Sequence, residues 1–424
     1  GRIFGPHGVE ATRGGVFTTG MRCGVPAKGK TIMDMEMKFL HDGRPVGMQK
    51  SKKFAHVHAE PSKQARSGDI VQTRTGILAP PSIGSTAFIA QQYDHEVQGS
   101  SVTKPLQGRG RVSADVGIIQ PLPHSSRGVV LSDGYCPWYS DIDTYAMAAA
   151  SIDIAVRNAV CAGASLDHLA ILDNFCWSSS DTPERLYELK RAAKACYDVA
   201  VVYGTPYISG KDSMFNDFNG YNEKGEFVHV AAPPTLLISA IGVMQDASRA
   251  VTLDLKMHGD LVYLIGETDD EIGASEYLMM RKSAGGEVPQ VDAKKNFRAY
   301  RALSKAIDSM LVASAIGVGR GGLGVALAKT EIAGKLGLEV NLNKLYGNAK
   351  AADSILFSES QGRIVVSVRP DAREKFEKTM KGVACTQIGK VIEKPALNLM
   401  FANKNITIPL AVLIDAYCTP FMDW

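Results

Sequence analysis

Between residues 82 and 245, apolar stretches of strand length alternate with two stretches of helical period, which confines the segment to a mixed α/β fold. Asp141 to Gly163 is rich in alanine, spaces its larger apolar residues at helical intervals and closes on a glycine. His168 to Leu172 predicts a short strand. Asp181-Thr182-Pro183-Glu184 predicts a helix start, with Asp181 as the cap, that sends Leu186, Leu189, Ala193, Cys196 and Ala200 to a core and stops at Gly204. Thr235 to Met244 predicts a strongly apolar strand.

A boundary falls near 245–253. Beyond it the pattern predicts a strand at Leu261–Gly266, a helix over Ala299–Ala315 and another over Leu323–Gly334. A strand–helix–strand unit follows over 363–392, with its helix at Asp371–Lys381, which fits an α+β domain. The expected organisation is 1–84, 85–245 and 246–424. Residues 1–84, with clusters such as Lys50-Ser51-Lys52-Lys53 and at best a strand near Thr31–Leu40, read as a connector or the tail of a preceding domain.

Of the 424 residues 47 are basic and 44 acidic, so the net charge of +3 gives no reason to expect nucleic acid or an anionic membrane as partner. No apolar run is long enough to span a bilayer. The seven cysteines are scattered and never form C-x-x-C, which argues against a disulfide framework or zinc site and predicts a reducing, cytoplasmic location.

Several polar clusters invite chemistry. Gly317-Val318-Gly319-Arg320-Gly321-Gly322 has glycine spacing suited to close backbone approach, but its context reads as a helix–helix turn. Gly204 to Ser213 is not a P-loop, because five residues separate Gly204 from Gly210 and Asp212 follows Lys211. Gly210–Ser213 still reads as a polar turn, in which Asp212, Asn216 and Asp217 either offer oxygens to Mg²⁺ or satisfy loop backbone groups. Phosphates, if bound, are expected between that turn, with Lys211 and Ser213, and the glycine turn with Arg320. Asp133, Asp141, Asp143, Asp173 and Asn174 end apolar stretches, where acids cap helices or hold a metal–phosphate unit. His95, in Tyr93-Asp94-His95-Glu96, is either a general acid/base or a surface histidine.

Six strings in order resemble the phosphoribosylformylglycinamidine synthase family. They are Gln92–Gly99 with Val102–Leu106, Arg157–Gly163, Asp173-Asn174-Phe175, Ser209–Met214, Gly273–Leu278 and Leu356–Arg363. They span about 80–400 and look like the second of the family's two aminoimidazole-ribonucleotide-synthetase-like copies. The resemblance implies an A domain, its sheet completed by a like domain, plus a B layer domain. It implies a ligase that uses ATP, Mg²⁺ and ammonia to turn formylglycinamide ribonucleotide into its amidine. The implied partners are an N-terminal half or second copy and a glutaminase. It places ATP at Asp173 and Gly210, Mg²⁺ at Asn158, substrate or phosphate at Ser213, and substrate at Glu359, Ser360 and Gln361.

The departures bear on mechanism. Ile154 stands where the family carries a glutamate, Ile316-Gly317 where it carries His-Asp, and Arg320 where it carries an acid. Loss of carboxylates removes Mg²⁺ affinity directly. This half is therefore expected to hold an auxiliary or degenerate nucleotide site. The alternative is a non-catalytic nucleotide-binding or scaffold subunit.

Overall fold

The computed structural model describes residues 14–43, 47–53, 70–92, 96–401 and 404–421. It separates into two compact units, 1–50 and 51–424. Within the first, Arg22–Ala27 and Lys30–Glu36 form an antiparallel hairpin followed by the short helix Met37–Asp42. Residues 77, 78 and 83, expected to lie in the connector, are instead core: Ile77, Leu78 and Ile83 are buried against Leu413 and Tyr417 of the second unit.

The second unit holds two large sheets, whose strands fall on either side of residue 245, and two small two-stranded ones. The six-stranded sheet takes its strands from 101–244. Strand Thr235–Met244 lies at its centre, antiparallel to both Gly128–Gly134 and Leu169–Cys176, and Tyr207–Ser213 forms an edge. The seven-stranded sheet takes its strands from 261–409.

Period-two alternation sorts the side chains. In the second sheet Tyr263, Ile265, Ile364, Val366 and Val368 enter one core cluster, while Val262, Leu264 and Val365 enter the other. The first cluster is filled by helices Thr144–Cys161, Pro183–Tyr203 and Ala293–Asp308, which lie between the two sheets. Helices Gly322–Gly334 and Leu410–Cys418 cover the outer face of the second sheet.

The alanines of Thr144–Cys161 now have a reason. This helix is buried on nearly every side, and small side chains let neighbouring layers approach. Asp143 caps it, accepting from the Tyr145 amide at 2.8 Å, and also binds Arg191 through both carboxylate oxygens. Pro183–Tyr203 starts with Thr182 at the N-cap rather than Asp181, and ends at Gly204 with φ +67°. Its buried face is Ala192, Ala195, Cys196, Val199 and Ala200, while Ala193 is exposed. The helix expected from Asp371 is shorter, Arg373–Thr379, with Ala372 at its N-cap.

Candidate functional site

The glycine run departs from expectation. Helix Ala293–Asp308 ends early, and Ser314–Gly317 is a strand paired with Ile364–Val368. The segment is therefore strand–turn–helix, with helix Gly322–Gly334 opening immediately after the turn. Ser314 to Gly317 became a strand because its alternate residues are buried against both cores, a tertiary demand that helical spacing did not reveal.

This turn lines a cavity of about 360 Å³. The opposite wall comes from Asp133, Gly134 and Tyr135 at the end of a strand, and from Ile154, Arg157 and Asn158 on helix Thr144–Cys161. Asp115 and Lys329 complete its charged lining alongside Arg320. Gly317 is required by close approach, since a Cβ there would lie 2.8 Å from Asn158 Oδ1 and 3.0 Å from Arg157 Nε.

Side chains of both signs line the cavity, Asp115 and Asp133 together with Arg157, Arg320 and Lys329. Crowding by surrounding protein, then the charge of Asp115, pushes the Asp133 carboxyl up from its usual range. Arg320 lies over the Trp138 ring at 3.7 Å and pairs with Glu276. Arg157 is fully buried, and its Nη1 donates to Asp153 at 2.7 Å and to Gln361 at 3.0 Å.

The expected substrate residues Glu359, Ser360 and Gln361 are buried and structurally engaged. Glu359 accepts from the Tyr139 hydroxyl at 3.0 Å, the Glu276 amide at 3.0 Å and the Gly321 amide at 2.9 Å. It thereby ties the glycine turn to both sheet layers. Ser360 accepts from the Asp269 amide at 3.1 Å. Ser360 and Gln361 line a second cavity of about 230 Å³ with Lys295 and Glu271.

Burial pushes the Glu359 carboxyl up, while the Gly321 and Glu276 amides hold it down in part. Because its folded pKa lies above its unfolded one, folding retains a proton that the unfolded chain releases. Stability from this group is present below the usual carboxylate range and falls as pH rises through the folded value. Glu359→Gln keeps the shape and an acceptor oxygen for both amides. Urea unfolding is expected to show the variant gaining on the native protein as pH rises from about 4.5 toward 7. A constant difference over that range would mean that the carboxyl does not carry the dependence.

The remaining expected residues lie elsewhere. Gly210, Lys211, Asp212 and Ser213 are not a turn but the end of the exposed edge strand Tyr207–Ser213. That strand is three positions from Gly128–Gly134 in the sheet, roughly 14 Å by ordinary strand spacing. None of the four lines the cavity at the glycine turn. Asp173 is their neighbour, opposite Gly210 in the parallel ladder, with its carboxyl pushed up first by burial and then by Asp212. Asp173 and Gly210 lie side by side in the ladder, whereas Asn158 and Asp212, both expected as metal ligands, lie apart. His95 lies outside the described residues.

The donor set does not suit a resident Mg²⁺. Among the described residues no three His, Cys, Asp or Glu side chains group as metal ligands. Asp115 and Asp133 share their cavity with three cationic side chains, and Ile154 and Gly317 add no oxygen-bearing side chain. Sequence reasoning passed over Lys329, although it is the one charge in Gly321–Thr330, a signal that could have marked it.

Two sheets with interleaved helices and a cleft at a glycine turn define an aminoimidazole-ribonucleotide-synthetase-like architecture. Residues 258–401 match the family described as AIR synthase related protein, C-terminal domain. The chain is 29% identical over 382 residues to phosphoribosylformylglycinamidine synthase subunit PurL of Methanocaldococcus jannaschii, covering 88% of this chain and 50% of that protein. It is thus a PurL-like protein, and it spans about half the length of the curated relatives it matches. Two solved structures of Thermotoga maritima PurL share the fold. The FGAR complex has a TM-score of 0.62 at 18% identity, covering 83% of this chain and 54% of that one. The ATP complex has a TM-score of 0.57 at 17% identity, covering 83% and 53%. Among the described residues no helix is long and apolar enough to cross a membrane.

Proposed function

We propose that the chain is the second synthetase-like half of a phosphoribosylformylglycinamidine synthase. It works with a first half, or with a second copy of itself, and with a glutaminase in converting formylglycinamide ribonucleotide, ATP and ammonia to the amidine. The observation that carries this reading is the similarity to PurL along 88% of the chain. Its own cleft between the glycine turn and helix Thr144–Cys161 is an auxiliary, degenerate nucleotide site, because Ile154 and Gly317 supply no carboxylate there. The same two residues favour, as second reading, a subunit that binds nucleotide or scaffolds its partners without catalysis.

The sheet supports a like partner. Leu131, Ile241, Val243 and Ile119 point to the face away from the helices, with Leu131 46% exposed. An antiparallel sheet with one solvated face normally turns polar residues outward.

The isolated chain is expected to show no ATP hydrolysis dependent on formylglycinamide ribonucleotide, and amidine formation is expected once a first half and a glutaminase are added. Turnover by the chain alone would overturn the auxiliary-site reading. Failure of the complete mixture, with each component folded and associated, would favour the scaffold.

A further inference from the structure

The cavity at the glycine turn is lined by a buried cation with unused donors. Arg157 spends only Nη1 on Asp153 and Gln361, while its Nε and Nη2 make no hydrogen bond among the described residues. A fully buried guanidinium with idle N–H groups is costly unless an acceptor reaches it. Arg157 lines the cavity beside Gly317, whose backbone packs so closely that a Cβ would come 3.0 Å from Nε. Half-buried Lys329 lines the same space and has no ion pair among the described residues. Gly319 and Arg320 of the glycine turn border it, together with Val325 and Ala326 from one side of helix Gly322–Gly334.

We propose that this cavity binds a phosphate monoester directly through Arg157 and Lys329, with no bridging divalent cation. The inference rests on the reading of the cleft as a degenerate nucleotide site and names what that site takes. Guanidinium and ammonium do the neutralising that carboxylate-held Mg²⁺ does elsewhere, and a guanidinium fork suits phosphoryl oxygens. The volume of about 360 Å³ leaves room beyond a bare phosphate. Asp115 and Asp133, which line the same cavity, accept hydrogen bonds from hydroxyl groups on the organic part and repel any second phosphate.

Isothermal calorimetry on the full chain in EDTA provides the test, with inorganic phosphate and adenosine 5′-monophosphate as probes and Mg²⁺-ATP in a parallel series without EDTA. The monophosphate is expected to bind in EDTA, and more tightly than inorganic phosphate. Lys329→Met should weaken it roughly tenfold or more, as expected for a lost charge-assisted bond, while Lys329→Arg retains it. Asp133→Asn is the sharper variant. It should tighten the monophosphate by removing a repelling charge, whereas a site built on Mg²⁺ would lose affinity with its carboxylate. Equal affinity for phosphate and monophosphate would show that only the phosphoryl group is recognised and would overturn the monoester assignment. Binding indifferent to both Lys329→Met and Asp133→Asn would place the anion elsewhere and overturn the inference. Tight Mg²⁺-ATP binding with no binding in EDTA would also overturn it but leave the degenerate nucleotide site standing. No binding under either condition would remove both.

Discussion

Replacing Asp153 by alanine is expected to cost about 3–5 kcal/mol of folding stability, the range for breaking a buried ion pair from one side. Asp153 is fully buried and accepts from Arg157 Nη1 at 2.7 Å, Asn296 Nδ2 at 2.9 Å, the Tyr300 hydroxyl at 2.7 Å, the Gly362 amide at 3.1 Å and the Tyr203 hydroxyl. These donors come from three helices and the loop after Gln361, so one carboxylate joins the helical layer to the second sheet. Alanine strands the Arg157 charge and orphans two tyrosine hydroxyls at once. Asp153→Asn keeps the shape but turns one acceptor into a donor facing Arg157, and should fall between alanine and the native protein. Urea midpoints at constant m-value give the measurement. A loss below about 1 kcal/mol for alanine would show that water or a rearranged Arg157 replaces the network.

The strands and helices were legible in the sequence wherever the apolar pattern ran long enough to show itself. Thr235–Met244 follows from its apolar run and Thr144–Cys161 from its helical spacing and the glycine at 163, and both lie where the pattern puts them. Ser314–Gly317 was not legible, because four residues are too few to show a period and its strand character comes from pairing with Ile364–Val368. The Gly210–Ser213 segment misled for the opposite reason. Gly, Lys, Asp and Ser carry turn chemistry in sequence, yet an edge strand tolerates them because half its backbone and most of its side chains face solvent. Of the candidate site, Asn158 and Arg320 were found together in one cavity. Lys329, Asp115 and the idle donors of Arg157 emerged only when helix, strand end and glycine turn were brought into register. Glu359 and Gln361 were recognisable as special residues, but their sequence strings do not separate contact with a ligand from contact with Tyr139 and Arg157.

Leu131→Arg is expected to weaken association of this chain with the proposed like partner by at least about 100-fold, near 3 kcal/mol. Strand Gly128–Gly134 alternates, with residues 128, 130, 132 and 134 buried toward helix Thr144–Cys161 and Leu131 on the other face. There it sits opposite Ile241 of the central strand, flanked by the Val129–Val243 pair. Contiguous exposed apolar residues on a sheet face are costly in water and mark an interaction surface. The occupant that matches a twisted, apolar sheet face is a second such sheet, which packs about 10 Å away with interdigitated side chains. An arginine at 131 puts a charge into that contact without touching the core, since Leu131 is 46% exposed in the single chain. Sedimentation of the full chain, alone and with a first half, measures the dissociation constant, and urea unfolding of the monomer checks that the fold is kept within about 0.5 kcal/mol. If association survives Leu131→Arg unchanged, the open face is not where the partner sits. If the chain is monomeric at all accessible concentrations and binds no first half, the sheet stands alone and the apolar face needs another explanation.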